Sequence, residues 1–203
     1  MPNADTNRLM DMARIRLPGA VDAAILVELF SVLKEFFTET NAWREDLKFL
    51  AQPTQNTVHT HPRDFEYIII PSKGAITRLL GVKDESGRPI AASMPEPGYV
   101  RLSSAPMNPE NYIATVTLTV TDPTTREDYP VFPDWIMNKY QKDILDGVLG
   151  HMMSQIAKPY TSPQMAGLHM RRFRQAMARA KVEARRGNVY AAQNWRFPGN
   201  FGN

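Results

Sequence analysis

The stretch YIATVTLTVTD, residues 112–122, alternates with a period of two. Val116, Leu118 and Val120 fall on one side, and Thr115, Thr117, Thr119 and Thr121 on the other. That period is the signature of a β-strand with one face on a core and the other in water or at an interface. Strand-like runs extend outward from it on the N-terminal side. YVRLSS (99–104) alternates again, and FEYIII (65–70) has the β-branched and aromatic bias of a strand. ITRLLGVKD (76–84) and RPIAA (88–92) flank Asp84-Glu85-Ser86-Gly87, a turn signal that predicts a hairpin. Pro62, Pro71, Pro89, Pro95, Pro97, Pro106 and Pro109 lie between these runs, where strands can end.

Helical periodicity frames this β-rich middle. In GAVDAAILVELFSVLKEFFTETNAW (19–43), Val21, Ile25, Leu29, Leu33 and Phe36/Phe37 recur at helical spacing, with Asp22, Glu28, Lys34, Glu35 and Glu39 opposite. The spacing predicts a helix over about 20–41. In DWIMNKYQKDILDGVLGHMMSQI (134–156), Ile136, Tyr140, Ile144, Val148 and Met152 repeat every four residues. Gly147 costs about 1 kcal/mol there against alanine, which a close helix–helix approach would justify. Lys158-Pro159 breaks the pattern. A third helix starts at Ser162 as N-cap with Pro163 in its first turn. Ala166, Met170, Phe173, Met177, Ala180 and Ala184 form its packing seam, and Gly187-Asn188 its stop.

The expected fold is therefore α+β: a helical bundle of about three main helices, an inserted antiparallel β-sheet module and an extended C-terminal tail. Its parts are a flexible leader (1–18), the bundle (19–43 and 129–188), the β-rich insertion (44–128) and the tail (189–203). The leader carries Arg8, Asp11, Arg14 and Arg16, which interrupt any signal-peptide core. No run approaches the roughly 18 apolar residues of a membrane span. Cysteine is absent, which excludes disulfides, thiolate metal sites and a cysteine nucleophile.

A net charge of +3 conceals an asymmetry. From Pro163 onward, Arg171, Arg172, Arg174, Arg179, Lys181, Arg185, Arg186 and Arg196 face a single acid, Glu183. That segment carries +7 and the rest of the chain −4. Such segregation suits a polyanionic neighbour, nucleic acid or an acidic protein surface; a solvated helix face has the same pattern.

Signatures of catalysis are missing: there is no GxSxG, P-loop, GxGxxG or HExxH. His59 and His61 would share one strand face as half of a metal site, yet no further ligands adjoin them. His151 and His169 sit in helical patterns without a nucleophile partner, and Asp64/Glu66 and Asp84/Glu85 are adjacent acids with no evident cleft. The sequence points away from an enzyme and calls for no cofactor. The methionines Met137, Met152, Met153, Met165, Met170 and Met177 lie on or beside the helix stripes, as adaptable core filler or as a malleable interface.

The order of several segments resembles a known family. These are LKEFFTETNAWREDL (33–47), IIIPSKGAITRLLGVKDESGRPI (68–90), YIATVTLTVTDPT (112–124), YPVFPDWIMNKYQKDILDGVLGHMM (129–153), KPYTSPQMAGLHMRRF (158–173) and WRFPGNF (195–201). Together, over about 20–201, they resemble the head-to-tail adaptors of short-tailed bacteriophages, the connector, head completion or tail tubular protein A group. The resemblance implies a structural virion protein at the head–tail junction, assembled in the host bacterial cytoplasm. It further implies a homo-oligomeric ring, commonly a dodecamer, under the portal protein, with a channel that passes packaged DNA non-specifically. A tail nozzle or tail-tube protein, or tail fibres, would dock below it; the long β insertion departs from purely helical members and leaves that partner open. The family supplies no catalytic residues. Its C-terminal segments extend toward the portal, which gives Trp195, Arg196, Phe197, Pro198 and Phe201 an expected role as portal contacts. Arg171, Arg172, Arg174, Arg179, Lys181, Arg185 and Arg186 would line the channel or form ion pairs between subunits.

Overall fold

A computed structural model describes residues 4–53, 66–71, 74–121 and 134–187, less the side chains of residues 4, 5 and 134. The chain is mixed α/β, with four helices and two antiparallel sheets among those residues. Residues 112–119 of the alternating stretch lie in β7 (Glu110–Thr119), an inner strand of the larger sheet. It pairs with β1 (Arg44–Ala51) on one side and β3 (Ala75–Asp84) on the other, and β3 continues to β4 (Pro89–Ile90). The smaller sheet has the order β2 (Glu66–Ile68), β6 (Tyr99–Leu102) and β5 (Ala92–Glu96).

Tyr112, Ala114, Val116, Leu118 and Val120 are buried, as the period requires. The threonine side is less open than expected. Thr117 is fully buried, its hydroxyl 2.8 Å from that of Thr77 on β3. Thr119 lies against the Thr38 hydroxyl and the Lys34 carbonyl of the helix before β1, each at 3.5 Å. A threonine can be covered this way because its methyl packs while its hydroxyl finds a partner. The predicted hairpin is present: Asp84 accepts bonds from Ser86, from the Arg88 backbone N–H and from the Arg88 guanidinium. The Ser86 hydroxyl, followed by the bonds from Arg88, holds the Asp84 carboxyl down at about 2. Pro95 sits inside β5 rather than beyond it, which an edge strand with a register shift between Ser93 and Glu96 tolerates.

The leader is corrected by the structure. Residues Ala4–Arg16 form a helix, α1, and Leu9, Met10, Ala13 and Leu17 are buried. Leu9, Ala13 and Leu17 recur every four residues, a narrow apolar stripe among charged neighbours. Packing against two other helices supplies what local propensity does not. Arg14 fixes the joint to the next helix with two bonds of 2.7 Å to the Asp22 carboxylate.

α2 (Asp22–Thr40) buries Ile25, Leu29, Phe30, Val32, Leu33, Phe36 and Phe37, and stops at Asn41 in the left-handed conformation. In α3 (Asp134–Ser154) all five residues of the four-residue repeat are buried. α4 (Pro163–Arg185) packs mainly on α3 and also meets α2. Gly147 of α3 marks a close approach to both α2 and α4. A Cβ there would lie 2.6 Å from Val32 Cγ1 and 3.0 Å from the Phe173 ring. Phe36 stacks obliquely on Tyr140 and Phe173, with centroids 5.1 and 6.3 Å away. Trp43 carries this core into the sheet: its ring is 5.4 Å from Phe37, and it closes over Gly74, whose φ of 77° and lack of a Cβ permit the contact. Helices and strands thus share one connected core.

Candidate functional site

The basic segment singled out by charge is α4, and the fold divides its cations into two groups. The inward face is built from small residues and one aromatic: Ala166, Ala176, Ala180 and Ala184 are buried with His169 and Phe173. Alanines at this spacing let α4 lie close to α3 and leave the long side chains on the outside. The helix start is pinned by the Ser162 backbone, whose N–H donates to Met153 and whose carbonyl accepts from Ala166. The Ser162 hydroxyl makes no capping bond.

Two of the seven predicted cations are used within the chain. Arg179 pairs with Asp143 of α3 at 2.8 Å, and Lys181 with Glu39 of α2 at 3.5 Å. Arg171, Arg172, Arg174, Arg185 and Arg186 are exposed and form no ion pair among the described residues. Arg171 and Arg174 share one open face of the helix with Gly167, Met170, Gln175 and Ala178. Trp195, Arg196, Phe197, Pro198 and Phe201, the expected portal contacts, lie outside the described residues, as do His59, His61 and Asp64.

Behind this face, polar pairs fasten α4 and α3 to α2. Glu183, the only acid of α4, meets Lys139 Nζ at 2.8 Å and accepts the Tyr140 hydroxyl at 3.1 Å. Burial opposes the charge of Lys139, but its bonds to Glu183 and Tyr140 prevail and raise its pKa. Burial raises the Asp143 carboxyl despite Arg179 alongside. His169 is buried with Nδ1 2.7 Å from Asp146. His151 is gripped by two carboxylates of α2, Glu28 on Nδ1 and Glu35 on the Nε2 side. The Glu28 bond raises the His151 pKa, with burial and Arg174 working against it. The helical pattern gives His151 no nucleophile partner and sets Glu28 and Glu35 opposite the apolar stripe of α2, without indicating that they meet it. Their separation of seven residues, two turns on one helix face, was the available signal.

Chemically the exposed guanidinium groups of α4 can attract anions. No group of three or more His, Asp or Glu side chains among the described residues is placed to hold a metal ion. No helix among them is long and apolar enough to cross a membrane. No family model matches the chain, and no curated protein matches it in sequence.

Proposed function

We propose that this chain is a structural virion protein of a tailed bacteriophage, a ring-forming adaptor between portal and tail with a central channel for DNA. The ordered set of segments over about 20–201 motivates the reading, and the outward arginine face of α4 is the observation that carries it. A ring needs heterologous interfaces that close, and each subunit must keep a surface free for the channel. Arg179 and Lys181 are spent inside the subunit, which leaves Arg171, Arg172, Arg174, Arg185 and Arg186 for contacts beyond it. In this reading the helices form the bundle, residues 44–128 the inserted β module that meets the tail nozzle or tube, and residues 189–203 the portal-docking tail. Trp195, Phe197 and Phe201 have the character of interface anchors.

The experiment is electron microscopy and native mass spectrometry of the chain with portal rings. The expected result is a closed ring, commonly of twelve copies, seated on the portal. Deleting residues 194–203 should preserve the fold and abolish attachment. A chain that never binds portal, or a truncated one that binds normally, rules out the respective claim. The unpaired arginines also favour a second reading, a basic DNA-binding accessory protein, which duplex binding without any ring assembly would select.

A further inference from the structure

We infer that α4 contacts the phosphate backbone of duplex DNA through Arg171, Arg174 and Arg185. This rests on the adaptor reading for the presence of DNA, and on the helix alone for the contact. At 3.6 residues per turn the three side chains emerge within roughly 60° of one another, along about 21 Å of helix. Ala178 and Val182 occupy intervening positions of the same stripe, and Gly167 precedes it by one turn. Arg172 and Arg186 flank it on one side.

Three kinds of anion compete for such a stripe. Among the described residues the chain's own carboxylates are engaged: every described acidic side chain except Glu96 has a hydrogen bond, ion pair or other electrostatic partner. A second copy brings the same inventory, so its described residues add only Glu96, and two α4 faces repel each other. An acidic protein surface would need anchors that exclude water, and aromatic side chains are the usual ones. The stripe has no aromatic residue, and its small residues leave the arginines standing clear. A phosphate backbone asks for charge and forked donors alone, which guanidinium supplies bidentately. The contact would position DNA without reading its sequence.

The test uses the full-length chain and a labelled random-sequence duplex, with binding followed by fluorescence anisotropy across a salt series. Three phosphate contacts predict a log–log salt slope of about −2.7 or steeper. Arg171→Gln, Arg174→Gln and Arg185→Gln together should flatten the slope by roughly that amount and lower low-salt affinity by at least about tenfold. Glutamine preserves helix propensity, so unchanged circular dichroism and melting certify the fold of the variant. A second triple, Arg8→Gln, Lys48→Gln and Arg78→Gln, removes the same charge from exposed positions elsewhere. It should retain most of the binding. Equal loss in both triples would reduce the effect to net charge and overturn the inference. Preference for polyglutamate over the duplex would overturn it in favour of an acidic protein. Loss of DNA binding with an intact ring sinks this inference alone, and DNA binding without portal assembly sinks the adaptor reading alone.

Discussion

His151 Nδ1 of α3 lies 2.5 Å from Glu28 Oε1 of α2, while its Nε2 faces Glu35 Oε2 at 3.7 Å. A neutral imidazole has one N–H, so only the imidazolium can present a donor to both carboxylates. Deprotonation turns a lone pair toward one of them. Arg174 of α4 is the opposing charge.

The pH dependence follows in sign. Because the folded pKa of His151 is raised, its contribution is complete below the unfolded value of about 6.5 and fades as pH rises through the folded value. Partial exposure keeps it to about 1 kcal/mol or less. Urea unfolding at mildly acidic and mildly alkaline pH should show this loss in the wild type and not in His151→Gln. Equal pH slopes in the two proteins would remove the role assigned to His151.

Two glycines should respond in opposite directions to the same substitution. Gly147→Ala gains about 1 kcal/mol of helix propensity but forces a Cβ to within 2.6 Å of Val32. Overpacking of this kind costs about 1–3 kcal/mol, so the variant should be less stable. At Gly167 no atom lies within 4 Å of an added Cβ, and Gly167→Ala should stabilise by about 0.5–1 kcal/mol. Thermal melts of the two variants decide the matter, and a stabilised Gly147→Ala would contradict the tight α2–α3–α4 contact.

Leu9→Ala separates a folded leader from a loose one. Leu9 is 2% exposed, and truncation of such a core leucine costs about 2–5 kcal/mol. A mobile leader would give no change. A midpoint shift in urea without a change of slope is the expected outcome.

The features legible in the sequence are those fixed by local spacing. The alternation of β7 and the repeat Ile136, Tyr140, Ile144, Val148, Met152 each announce a face before any partner is known. α1 escaped because Leu9, Met10, Ala13 and Leu17 make only a thin stripe, and β1 because Leu47, Phe49 and Ala51 alternate briefly among charges. Both depend on surfaces supplied from elsewhere in the chain. At the candidate site, composition marks α4 as basic but treats its cations alike. Only the tertiary positions of Asp143 and Glu39 set Arg179 and Lys181 apart from Arg171 and Arg174. The burial of Thr117 depends likewise on Thr77 across the sheet.

Glu183, the one acid of α4, should be sensitive to substitution. Its carboxylate is 15% exposed and serves both Lys139 and the hydroxyl of Tyr140, itself a core residue. Glu183→Ala removes the acceptor that both share and should cost about 1–3 kcal/mol. Glu183→Gln keeps an oxygen for Tyr140 and drops the charge, so it should fall between wild type and alanine. Denaturant titration orders the three proteins. If alanine and glutamine both match the wild type, the pairing does not hold the last turns of α4, and the orientation of Arg185 must come from packing at Ala180 and Ala184 alone.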